Sequence, residues 1–262
     1  MAFTDKILQY TGSNTGLNIP DAIKQAIDNT LGIVKARAPQ LLPLFARKMT
    51  VSDLPDAGYN LSSKNVFDVH KVERESGTTL YICQPVPSEQ AHAVSDSKSI
   101  YYAQSYSPVY VIDFESNLKI YPVGNDTDKA YMYLIYNSDS KTVSDSAETI
   151  IDVTENANTD GADGYTGAQH FPKVWYQYII LQASSILVQQ KISLFLSDSS
   201  NASITSIEEW LADEDEGMVA STSQAIQLFQ SKLSVIDKYK QEFLMSQGIS
   251  GTSDDPKLGQ KS

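Results

Sequence analysis

The sequence predicts an α+β fold: a helical bundle formed by the N- and C-terminal helices, with an antiparallel β subdomain inserted between them. Three observations lead there. Apolar residues recur at helical spacing toward the two ends of the 262-residue chain, whereas the middle alternates with period two. The C-terminal apolar run is interrupted by glutamine, serine and lysine too often for a membrane span. It is nevertheless apolar on several sides, so other helices must cover it. Residues 99–136 hold more than half of the 15 tyrosines, in short strand patterns separated by turn residues.

Residues 1–63 read as an N-terminal helical region and connector. Asn18 is placed to cap a helix, Pro20 suits an early helical position, and Asp21 meets the positive end of the dipole. Ile23, Ile27, Leu31, Val34 and Ala38 then form one buried stripe, which Pro39 closes. Pro43 limits the next apolar piece to a turn or two. Residues 50–63, with Pro55 and Gly58, read as a connector. The tyrosine-rich β subdomain spans 64–136, with strands expected near 65–74, 78–83, 108–113, 118–121 and 130–136. Ser76-Gly77 supplies a hairpin turn. Residues 85–99 read as a polar, structureless excursion from the sheet. Both faces of the last strand are apolar or aromatic, so both are expected to meet protein.

Residues 137–170 are dense in Ser, Asp, Asn and Gly and read as a long polar loop, with 149–153 as its one strand-like piece. Residues 171–247 hold the C-terminal helices of the bundle. Pro172 opens the long one, whose Trp175, Tyr178, Ile179, Leu181, Ile186, Val188, Ile192 and Phe195 reach around most of its circumference. Ser206 and Glu209 form a capping box before a short helix, and an acidic run precedes the last one. Ile226, Phe229, Leu233, Ile236 and Phe243 make an amphipathic stripe there, and Gly248 stops it. Residues 248–262 read as a flexible tail.

Composition excludes several functions. Hydrophobic residues at 41% and charged residues at 20% describe a folded protein, not a disordered one. The single cysteine, Cys83, rules out an internal disulfide and sits in a strand pattern as a buried small hydrophobe. The N-terminus lacks a continuous apolar stretch, so no signal peptide is expected. A net charge of −12 argues against binding nucleic acid by phosphate neutralisation. Lys35, Arg37, Arg47 and Lys48 cluster loosely in the N-terminal helical region and read as a solvated or salt-bridging face.

His70, His92 and His170 fall in different segments and show no metal-ligand spacing; no nucleophile elbow or P-loop occurs. Asn156, Asn158, Asp160 and Gly161 match the opening of a calcium loop. Its twelfth position, however, is Gly167 and not glutamate, so a plain Asn/Asp/Gly loop is the reading. No catalytic residue, metal or cofactor is expected.

The β segment contains S-I-Y-Y-A, then P-V-Y, then L-x-I-Y-P, and Phe171-Pro172 later opens a helix rich in Tyr, Leu and Ala. In texture and order, residues 60–196 resemble head-to-tail connector (neck or adaptor) proteins in virions of tailed bacteriophages. The resemblance implies a homo-oligomeric ring, twelve-fold by family expectation, between the portal protein and the tail or next neck protein. Genomic DNA would pass through it without specific binding, no membrane would be involved, and the protein would reside in the virion neck after assembly in the host cytoplasm. Tyr101, Tyr102, Tyr110, Trp175, Tyr178 and Phe229 are the candidate assembly interface, because aromatic side chains supply large rigid contact area. Asp213, Glu214, Asp215 and Glu216 are the candidate channel-lining acidic residues, since a lumen that repels phosphate does not stall DNA.

Other readings stay open on the sequence. Another tail-completion or fibre-adaptor component fits the same setting. A soluble module holding a peptide or glycan on its β domain is a different class, and a hydrolase with an unrecognised site is a third.

Overall fold

The structure is a computed structural model and describes residues 3–12, 14, 16–51, 58–62, 66–122, 129–137, 172–197 and 222–249. The fold is α+β, as expected, with terminal helices on either side of the β region in sequence. Two compact units result. Described residues up to Ala38 and from Lys173 onward form the helical unit, and those from Pro39 to Asn137 form the β unit.

The helical unit contains α1 (Phe3–Thr11), α2 (Ile19–Arg37), α3 (Tyr176–Ser197) and α4 (Thr222–Ser246). The start of α2 follows its sequence signals: Asn18 Oδ1 accepts the Asp21 backbone N–H at 3.2 Å, and Asn18 Nδ2 donates to the Asp21 carboxylate. The stripe Ile23, Ile27, Leu31, Val34 and Ala38 is buried, together with Ala22 and Ala26. α1, which the sequence reading did not anticipate, is short and depends on burial of Ile7.

α3 packs against α1, α2 and α4. Its residues from Tyr178 to Ser185 are all buried, because a helix apolar around its circumference is stable only when surrounded. α4 buries Ala225, Phe229, Ile236 and Leu244 along one side. Gly248, at φ 73°, ends it: its N–H donates to the Met245 carbonyl at 3.0 Å, and Ile249 N–H reaches the Leu244 carbonyl at 2.9 Å. Ile249 and Leu244 are both buried, completing the apolar contact of this C-terminal motif.

The β unit has two four-stranded sheets. The first has the order β1-β8-β3-β4, from β1 (Arg47–Val51), β8 (Ala130–Tyr136), β3 (Val66–Ser76) and β4 (Thr79–Ile82), all antiparallel. The second runs β2-β7-β6-β5, from β2 (Tyr59–Asn60), β7 (Asn117–Tyr121), β6 (Val109–Ile112) and β5 (Gln84–Val86). Their inner faces share one core of Leu61, Val72, Cys83, Leu118, Ile120, Ala130, Met132 and Leu134. The hairpin β3–β4 turns at Gly77, whose φ of 64° suits the first position of a type II′ turn.

Three features depart from the sequence expectation. The sheet is not wholly antiparallel, since β5 runs parallel to β6. A parallel pair requires a crossover, and residues 85–99 provide it instead of a structureless loop. Pro85 and Val86 lie in β5, and a 3-10 helix (Ser88–Ser95) places Val94 over Val109 and Val111 with Ala91, Tyr101 and Ala103. That small apolar cluster covers the outer face of the second sheet.

Finally, Arg47 and Lys48 lie in β1, whereas Lys35 and Arg37 end α2, so the four cations do not all belong to a helical region. The capping box at 206–209, the acidic run at 213–216, the loop at 138–170 with its calcium-like stretch and His170, and the tail from 250 lie outside the described residues.

Gly58 has a steric role beside β7. Its φ is 85°, and a Cβ there would lie 2.8 Å from Lys119 Cγ and 3.0 Å from the Leu118 carbonyl oxygen. Gly58→Ala is expected to destabilise the β unit by at least about 1–2 kcal/mol. Urea denaturation reads this directly, and an unchanged midpoint would refute it.

Candidate functional site

The outer face of the first sheet is a polar surface whose side chains contact one another. Register places Lys48 and Thr50 opposite Tyr133 and Tyr131, and those opposite Lys71 and Glu73. Glu73 and Glu75 in turn face Ile82 and Leu80. Directly paired residues project to the same side, so all of these share one face. It was legible in part: Tyr131 and Tyr133 share one side of the last strand in the sequence pattern.

The side chains on this face hold one another. Tyr131 OH donates to Glu75 at 2.7 Å and Tyr133 OH to Glu73 at 3.1 Å. Lys71 Nζ lies 2.5 Å from Glu73, and Lys48 Nζ sits 4.1 Å from the Tyr131 ring centroid. Lys71 Nζ is 5.3 Å from the Tyr133 ring. The hydrogen bond to Lys71 holds the Glu73 carboxyl below its ordinary range and raises the Lys71 ammonium. The Tyr131 phenol is raised chiefly by its bond to Glu75, and the Tyr133 phenol chiefly by burial, then by Glu73. Phenols bonded in this way are poor bases and nucleophiles at neutral pH. What the lattice does is fix rotamers in advance, lowering the entropy cost of contact with another surface.

The hairpin tip between β6 and β7 is built similarly. Asp113 accepts the backbone N–H groups of Glu115 and Asn117 at 3.0 and 2.8 Å and pairs with Lys119 at 3.1 Å. Those bonds, the one from Asn117 first, keep the Asp113 carboxyl below the usual range. The braced turn leaves Phe114 85% exposed. Ile100, in the crossover, is 91% exposed. Beside the tyrosine face, Leu80 and Ile82 on β4 are 50% and 57% exposed.

Of the candidate interface residues, Tyr101 is half-buried over the second sheet and Tyr102 is half-buried in the crossover. Tyr110 packs into the shared core, with burial, then the Asp68 charge, raising its phenol. Trp175, Tyr178 and Phe229 are corrected outright, because each is buried inside the helical unit. Trp175 packs edge-on to Tyr178 and Phe243, at centroid distances of 5.8 and 5.3 Å. Their apolar area is spent within the chain, and the exposed residues of the β unit take their place as contact candidates. The sequence reading missed Leu80, Ile82 and Phe114. The available signal was an uncharged edge strand and an aromatic residue at the tip of an Asp-led turn.

His70 and His92 are exposed and lie on separate elements. Among the described residues, no group of three or more His, Cys, Asp or Glu could hold a metal ion. No described helix is long and apolar enough to cross a membrane. Cys83 is the buried hydrophobe the sequence suggested; it lies where the chain leaves β4 for β5. Burial pushes its thiol up to about 12, against the opposing charge of Arg74.

A thiol that ionises near pH 8.5 when unfolded and near 12 when folded favours the native state at neutral pH. That contribution declines as pH rises from about 8.5 toward 12. Native protein at pH 8 is expected to resist iodoacetamide and to label fully in urea, as read by mass spectrometry. Rapid native labelling would contradict the buried setting.

No family model and no curated protein matches this chain.

Proposed function

We propose that the protein is a virion structural component of a tailed bacteriophage, a neck or head-to-tail connector that forms a ring between portal and tail and extends the DNA conduit. The observation that carries the reading is the disposition of the β unit. Its tyrosine face is locked by its own hydrogen bonds, and its β4 edge, its β6–β7 tip and its crossover hold Leu80 and Ile82, Phe114 and Ile100 in solvent. Apolar side chains braced in water gain free energy only when another surface covers them. The phage setting rests on the resemblance across residues 60–196 and on the succession of terminal helices around an inserted β region.

In this reading the helical unit supplies a rigid body through its own core. The exposed β residues contact neighbours or the next tail component. Acidic residues facing the lumen would repel DNA, with Asp213, Glu214, Asp215 and Glu216 as the candidates.

Negative-stain microscopy of the purified full chain, alone and mixed with a portal assembly, tests the proposal. Closed rings, or binding to the portal ring, are the expected result. A monomer that ignores the portal and binds peptides or glycans would favour the soluble binding module.

A further inference from the structure

Among the described residues each sheet of the β unit has two edge strands, and the four edges differ in what they offer to a further strand. β5 carries Pro85, which has no N–H to donate, and β2 is only two residues long. β1 carries Lys48, exposed on its outer face, which disfavours a second β1 beside it but not an uncharged edge. β4, Thr-Leu-Tyr-Ile, has no charge and no proline, and it exposes Leu80 and Ile82. Among the described residues, β3 is its one paired neighbour.

From this contrast we infer that β4 is a pairing edge whose occupant is β1 of a second copy, so that the first sheet continues from subunit to subunit. The inference deepens the ring reading and rests on it. Two features of the sheet select this partner. Strand direction alternates from β1 through β8 and β3 to β4. A second sheet added with the same face outward therefore brings its β1 antiparallel to β4, and its Lys48 on the same side as Leu80 and Ile82.

Charge points the same way. On the outer face, the half bordering β4 carries Glu73 and Glu75 against Lys71 and is acidic on balance, while the edge strand β1 carries Lys48. Pairing β4 with a second β4 would bring together two halves that each carry Glu73 and Glu75 against one Lys71, and pairing β1 with β1 would bring lysine toward lysine; uniting Lys48 with the acidic half avoids both. Unlike edges meeting head to tail form a heterologous interface, the kind that closes into a ring when the rotation permits.

The test uses the full chain, with Cys83 buried and silent. Leu80→Lys with Ile82→Lys, at positions already exposed, leaves the fold intact by circular dichroism. It is expected to shift the mass seen by light scattering from oligomer to monomer. Thr50→Cys or Lys48→Cys chains mixed with Leu80→Cys chains are expected to form a disulfide-linked dimer on mild oxidation, absent from each variant alone. Leu80→Cys cross-linking equally well to itself would overturn the assignment in favour of a two-fold pair. Oligomers that survive the double lysine variant and give no mixed cross-link overturn the edge while leaving ring assembly standing. A chain monomeric at every concentration overturns both.

Discussion

Trp175→Ala is expected to destabilise the helical unit by about 3–5 kcal/mol, the range for deleting a fully buried indole and leaving a cavity. The indole is wholly buried, and both of its aromatic neighbours, Tyr178 and Phe243, also touch each other, with centroids 5.3 Å apart. Three rings in mutual contact cannot close over a missing member without moving two helices, α3 and α4. Burial also raises the Tyr178 phenol, as expected for a ring enclosed by apolar neighbours.

Trp175→Phe keeps most of the contact area and is expected to cost less than half as much. Urea unfolding at several protein concentrations distinguishes core from interface. A loss independent of concentration places Trp175 in the core of one chain. A loss that vanishes on dilution would return it to the subunit interface.

Lys191→Ala is expected to cost about 2–4 kcal/mol, although it removes a charged residue. Lys191 is 0% exposed, and its Nζ donates to the Thr11 carbonyl at 2.8 Å. That carbonyl belongs to the last turn of α1, where no intrahelical N–H remains to meet it. The ammonium also lies 5.3 Å from the Phe229 ring centroid, within the range for attraction to the ring face. Around the same turn, Thr11 Oγ1 donates to the Ile7 carbonyl at 3.0 Å and Asn14 Nδ2 donates to Thr11 Oγ1 at 2.7 Å.

One side chain thus ties α3 to the end of α1 while crossing beside α4. Lys191→Met preserves the aliphatic stem and loses only the donor, and it is expected to cost about 1–3 kcal/mol. Hydrogen exchange gives a local readout: amides in residues 3–11 should lose protection more than those of α2. Equal loss across the unit, or none, would remove this tie from the account.

Much of this architecture could be read in advance. Asn18, Pro20 and Asp21 marked a helix start because capping is local chemistry, and Gly248 marked an end for the same reason. The five expected strands all formed, with ends shifted by a residue or two. Other elements were hidden. β1 reads as a basic segment after a helix, and it becomes a strand because β8 offers it a partner. β5 is three residues long and includes a proline, so only the β6 edge makes it visible as a strand. Val86, Val94 and Ala103 are scattered through a polar stretch, and nothing in their spacing announces one cluster.

The candidate surface divides along the same line. The abundance of tyrosine was plain in the composition, but the sequence treated buried and exposed rings alike. Trp175, Tyr178 and Phe229 went inward, whereas Tyr131 and Tyr133 became part of a hydrogen-bonded face. Helical amphipathicity, turn chemistry, acidity and the fate of a lone cysteine follow from neighbours within a few residues, and the sequence determined them. Which aromatic groups remain available, which strand lacks a partner, and which carboxylate meets which phenol depend on pairings such as Glu75 with Tyr131, far apart in the chain. Those were decided only by the tertiary structure, because sheet register sets side-chain facing and no local preference encodes it.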